Sequence, residues 1–238
     1  MDPDGLLLED IIDGVGDTID KVGCWYIRRL YRAVKEPGIS EAERIKRIRK
    51  LYEAFGNLGW VRHPNAAAVM RHWLSGSEKD FRISRALVLS VPEGTRAREH
   101  LLKQIKDNIM CAEAGMTPTF EAEVATPRGT DLYYTTGRFT LKAEATYYKP
   151  WVCRSCERLV YVRFRMRDPY DWHTDLGVTI CGLYIPDSWA YDLGVADGLK
   201  AFDVYAQWTE NLGCVKCTCA SASKSKGGKK AKPGYRWW

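Results

Sequence analysis

Apolar residues recur at three- and four-residue spacing through the first half of the chain and alternate with polar ones through most of the second. Leu7, Ile11, Ile12, Val15, Ile19, Val22 and Tyr26 fall on one helix face, which predicts one or two helices over 6–34, ended by Pro37-Gly38. Acids crowd the start of that stretch and Arg28, Arg29, Arg32 and Lys35 its end, as the helix dipole favours. Gly14, Gly16 and Gly23 thin the pattern. Ser40 and Glu43 have the spacing of a capping box, and Ala42, Ile45, Ile48, Tyr52 and Phe55 form the stripe of a second helix. A third helix is expected from His63-Pro64 to about Ser75, with Pro64 at its first position. Ala86–Val91 reads as a short strand or buried segment. Thr95–Ala114 reads as a helix with Leu101, Leu102, Ile105, Ile109 and Ala112 inward and Gly115 as its stop.

After Pro118 the period changes to two. Phe120–Val124, Tyr133–Tyr148, Leu159–Met166, Val178–Tyr184 and Ala201–Trp208 read as strands, with a short helix at Pro186–Leu193. The order predicts an α+β fold: a helical region over 7–115, then a mostly antiparallel β-rich region over 116–219. Residues 220–238 form a basic tail.

Composition narrows the class. The chain has 238 residues, 45% apolar and 28% charged, within the range of a globular protein. No apolar run reaches membrane-spanning length, and seven acids in the first 20 residues do not fit a secretory signal. The net charge of +6 equals the contribution of Lys224, Lys226, Lys229, Lys230, Lys232 and Arg236. The remainder is neutral, so a nucleic-acid partner is not expected. A lysine-rich end reads as a solubilising tail, although Trp237 and Trp238 call for burial or a partner.

Eight cysteines are present. Cys153-x-x-Cys156 falls at the tip of an expected hairpin, and Cys214-x-x-Cys217 directly follows an expected strand. Two such pairs can supply four thiolates to one tetrahedral zinc, a closed and structural set, with Cys219 as a competing ligand. Disulfides and free thiols are the alternatives. Cys24 and Cys111 fall in expected helices, where buried free thiols are usual.

The densest polar cluster runs from Arg165 to Asp175 and contains Asp168, Tyr170, Asp171 and His173. At a strand end, these groups suit general acid–base chemistry or a divalent cation held by oxygen ligands. The competing reading is a turn: Asp caps, Pro169 sets φ, and the aromatics pack on the sheet. Paired-histidine zinc motifs, a phosphate-binding loop, the dinucleotide glycine pattern and the G-x-S-x-G elbow are all absent from the sequence.

Asp2-Pro3-Asp4-Gly5-Leu6 resembles the signature closing the core of rearrangement-hotspot (RHS/YD-repeat) proteins. The resemblance implies a variable C-terminal toxin or effector, secreted or delivered in competition between bacteria. Its implied partners are a cognate immunity protein and the RHS shell. Asp168-x-Tyr170-Asp171 also resembles the motif of M-type colicins, which cleave lipid-linked peptidoglycan precursors. Here His173 follows Asp171 by only two residues, and Thr174 stands where the family has Arg. Two readings compete with an enzymatic toxin. One is a non-enzymatic, zinc-stabilised binding or structural module. The other is a nucleic-acid binder using the tail and the basic helix over 41–56.

Overall fold

A computed structural model describes residues 21–58, 63–172 and 177–218. The α+β expectation holds, with helices leading and antiparallel pairing dominating. Helix α1 occupies 21–34 of the described chain. It is followed by α2 (Glu41–Leu58) and α3 (Pro64–Leu74), by β1 (Phe81–Arg82) and α4 (Arg85–Val88), and by α5 (Pro92–Asp107). The second half contains β2 (Ala114–Met116), β3 (Phe120–Ala125), α6 (Asp131–Thr136), β4 (Arg138–Tyr148) and β5 (Glu157–Tyr170). It ends with β6 (Gly177–Ile180), β7 (Leu183–Pro186), α7 (Asp187–Asp197) and β8 (Phe202–Lys216).

The main sheet has the order β1-β8-β5-β4-β2, and β3 also pairs with β4. Only the β1–β8 pair in it is parallel. Strict alternation along β4 and β5 makes the sheet two-faced. Leu141, Ala143, Ala145, Val160, Val162, Phe164 and Met166 point into the core. The other face carries charge pairs such as Lys142–Glu121 (2.7 Å) and Arg165–Glu144 (2.9 Å). One hydrophobic cluster runs from Ile27 to Ala206, so the helices and the sheet share a core.

The sequence expectations for α2 and α3 hold. The Glu43 amide donates to Ser40 Oγ at 3.3 Å, and Pro64 opens α3. The amides of Asn65 and Ala66 donate to Asp131 at 3.1 and 2.9 Å, so a carboxylate 66 residues away does the capping that His63 does not. Other expectations are corrected. Ala86–Val91 takes the buried-segment alternative and not the strand: Leu87, Val88 and Val91 are buried, and Ser84 Oγ accepts from the Leu87 amide and starts α4. The next helix begins at Pro92 and stops at Asp107, and Ala114 already lies in β2. Residues 131–136 are helical rather than strand, because Thr130 Oγ1 accepts from the Tyr133 amide and Gly137 (φ 68°) breaks the turn. Val178–Tyr184 is two strands joined by a turn at Cys181-Gly182, both at positive φ. That φ is 52° at Cys181, where a β-carbon is disfavoured.

The zinc expectation is replaced by cystines. Cys153 bonds Cys214, Cys217 bonds Cys111, and Cys24 bonds Cys181. A sulfur held in a cystine has no thiolate to offer a metal, so Cys153, Cys156, Cys214 and Cys217 do not assemble as a four-sulfur set. Among the described residues no group of three or more His, Cys, Asp or Glu side chains could hold a metal ion. Cys24 and Cys111 are therefore not free, and Cys111 lies beyond the end of α5. Two cystines and the buried Arg158, which donates to the Cys111 and Ala112 carbonyls, tie down one end of the sheet.

At Gly94, in the first turn of α5, a β-carbon would sit 2.0 Å from the Val88 carbonyl oxygen. Gly94→Ala must separate α4 from α5 and is expected to cost about 1–3 kcal/mol, as overpacking does. Urea unfolding measures it, and an unchanged midpoint would mean that the two helices are not held this closely.

Candidate acid–base site

The end of β5 opposite the Cys111–Cys217 and Cys153–Cys214 cystines carries the candidate residues. Alternation continues the inward series of Phe164 and Met166 through Asp168 and Tyr170, which pair with Val204 and Phe202 of β8. These residues thus end a strand rather than occupy a loop, and Asp171 follows directly. Tyr170 stacks on Phe202 at 5.1 Å and meets Trp172 edge-on at 5.2 Å. Trp172 in turn packs against Tyr52 and Trp73. This aromatic cluster fixes the strand end against α2 and α3.

Asp168, Tyr170, Asp171 and Trp172 line one side of a cavity of about 890 Å³. Ile27 of α1, Phe55 and Leu58 of α2, Met70 of α3, and Val178 and Ile180 of the β6–β7 hairpin supply apolar wall. Arg128, Arg138, His63 and Asp187 add polar groups. A volume and lining of this kind are typical of a small-molecule site.

Burial first, then the charges of Asp171 and Asp203, raise the Asp168 carboxyl to about 7. Among the described residues nothing donates a hydrogen bond to it. Asp168 is thus close to half-protonated at neutral pH, the condition for passing a proton either way. Burial, followed by the Asp187 charge, also raises the phenols of Tyr170 and Tyr52, so both stay protonated at neutral pH. Among the described residues nothing accepts from the buried Trp172 indole N–H, which belongs to a residue of the cavity wall. It is a donor available to an occupant.

The raised Asp168 also predicts a pH dependence of stability. A carboxyl raised on folding favours the native state fully only below its unfolded value, near 3.9. That contribution is lost as pH climbs through the folded value of about 7. Asp168→Asn, which keeps the neutral shape, should therefore melt above the parent at pH 8 and alongside it at pH 4. Equal shifts at both pH values would remove the raised carboxyl from the account.

The fold brings Asp168, Tyr170 and Asp171 together at one cavity, while His173 lies outside the described residues. Sequence reasoning missed His63, Arg128, Tyr134, Arg138 and Asp187 as cavity residues. His63 and Tyr134 pack ring to ring at 4.8 Å, a contact between α3's approach and α6 that no local pattern announces.

No protein-family model matches the chain, and no curated protein matches it. Among solved structures, it is similar to PaeM, a colicin M-like bacteriocin produced by Pseudomonas aeruginosa, with a TM-score of 0.33 and 15% identity. The likeness covers 63% of this chain and about half (51%) of that one.

Proposed function

We propose that the chain is a toxin or effector region whose acid–base site is built on Asp168 and Asp171. The observation that carries this reading is a carboxyl raised to about 7 at the wall of a large, mostly apolar cavity. Asp168 serves as the group that gives and takes the proton. Asp171 keeps the negative charge that helps hold it there. Tyr170, half-buried and between the two in sequence, keeps its phenol protonated. An amphipathic substrate suits this cavity: apolar portion against Phe55, Leu58, Met70 and Ile180, polar portion toward the acids and Arg128 or Arg138. The motif's resemblance to M-type colicins supports the same substrate character. The RHS-like signature at 2–6 lies outside the described residues; it supports delivery between bacteria, with an immunity protein and the RHS shell as partners.

The three cystines among the described residues support action in an oxidising compartment, outside the reducing cytosol. Among the described residues no helix is long and apolar enough to cross a membrane. The binding-module reading loses its main support once its zinc set is replaced by cystines.

The test is bacterial growth after inducing the chain with and without an added export signal, beside Asp171→Ala. Growth arrest only in the exported arm, relieved by the substitution, is the expected result. Normal growth in every arm, with soluble protein present, would overturn the toxin reading. Arrest confined to the cytosolic arm would overturn its compartment.

A further inference from the structure

The cavity wall contributed by α1 has an outer side that the acid–base chemistry does not use. Between Lys21 and Lys35 the chain has five cations and no acid. Lys21, Val22, Trp25, Tyr26, Arg28, Arg29, Arg32 and Lys35 are all exposed. At 100° per residue they cover one continuous half of the helix. Gly23, Ile27 and Val34 on the other half are buried. The outward aromatic and aliphatic groups are large: Trp25 is 60% exposed, Val22 62% and Tyr26 42%. Left facing water, side chains of this size contribute little of their apolar area to the fold.

The groups are also arranged together. Trp25, Arg28, Arg29 and Arg32 line a shallow depression. The Arg29 guanidinium lies over the Trp25 ring at 5.8 Å. Arg28 donates to the Cys181 carbonyl at 3.1 Å, which fixes it beside the hairpin turn. Among the described residues none of the five cations forms an ion pair within the protein. Arg28, Arg29 and Lys35 meet only a carbonyl or an aromatic ring there, so among the described residues no acid offsets this charge, and its complement is a surface dense in phosphate.

We propose that this face of α1 docks the protein on an anionic phospholipid bilayer. Trp25, Tyr26 and Val22 enter the headgroup boundary, and Arg28, Arg29 and Arg32 engage lipid phosphates, as interfacial amphipathic helices do. A soluble polyanion would engage the arginines and leave the apolar groups without a role; the mixture of the two favours a bilayer. Gly23, Cys24 and Ile27 of the same helix line the cavity, so docking sets the cavity beside the lipid. The Cys24–Cys181 cystine holds helix and hairpin together there. The proposal stands apart from the acid–base assignment and is read by binding rather than by killing.

The experiment is co-sedimentation of the full chain with vesicles of phosphatidylcholine alone or with about a third phosphatidylglycerol. Three variants are compared: Arg29→Gln with Arg32→Gln, Trp25→Ala, and a chain lacking 220–238. Each anionic contact near the surface is worth roughly a fivefold change in affinity, so the double variant should lose about 25-fold. Trp25→Ala should weaken binding about fivefold or more. The truncated chain should retain most of its binding. Circular dichroism confirms that the exposed substitutions leave the fold intact. Three results would overturn the proposal: no preference for phosphatidylglycerol, binding lost only with the tail, or a Trp25 variant that binds like the parent. The last would assign the arginines to a soluble polyanion.

Discussion

Asp171→Ala is expected to raise the dose of exported protein needed to stop growth by up to about 10²–10⁴-fold, the worth of the acid–base step that Asp171 poises on Asp168. Asp171 is exposed at the cavity edge, and thermal melting of the variant beside the parent separates lost killing from lost folding. Asp168→Asn separates proton transfer from shape, because the amide fills the same space and holds no transferable carboxyl proton. It should lose as much killing as Asp171→Ala while gaining stability at pH 8. If Asp168→Asn killed as well as the parent, the proton role would pass elsewhere, and His63 on the same cavity wall would be the next group to test.

The second large effect concerns the cystines. They close stretches of 157, 106 and 61 residues. Each native cystine lost from a small domain costs about 2–5 kcal/mol. Losing three together rivals the roughly 5–15 kcal/mol that a domain has in total. Reduction should therefore unfold the protein at 37 °C rather than soften it. Thermal melting with and without a thiol reductant reads this directly. A reduced chain melting within a few degrees of the oxidised one would show that the shared core suffices alone.

Local chemistry was legible where it is local. The Ser40 cap, the Pro64 start and the alternation of Phe120–Val124 and Leu159–Met166 appear in the structure as the pattern predicts. Tyr133-Tyr134-Thr135-Thr136 misled because aromatic and β-branched residues favour strands, whereas the Thr130 cap and the Asp131 link to α3 decide for helix. Val178–Tyr184 misled because neither Ile180 nor Leu183 announces a turn, and Cys181 takes a backbone conformation unusual for it. The two C-x-x-C spacings pointed to metal. Connectivity cannot be read from spacing, and the partner that decided Cys217 was Cys111, in the segment between α5 and β2. The acidic motif located one wall of the cavity. The others come from α1, α2, α3 and the β6–β7 hairpin, joined to it only through tertiary packing.

The crossing of the cystines also governs how the chain bears force. Cys111 lies inside the span closed by Cys24 and Cys181, and Cys217 lies outside it. A pull on the two ends passes through sulfur–sulfur bonds and the stretch after Cys181, bypassing most of the sheet. The oxidised protein cannot be drawn out as a single thread. An end-first passage through a narrow pore would halt at Cys24 or before it from one side, and at Cys217 or before it from the other. Any route that strings this chain through a membrane must do so before its sulfurs are joined, or carry it across folded.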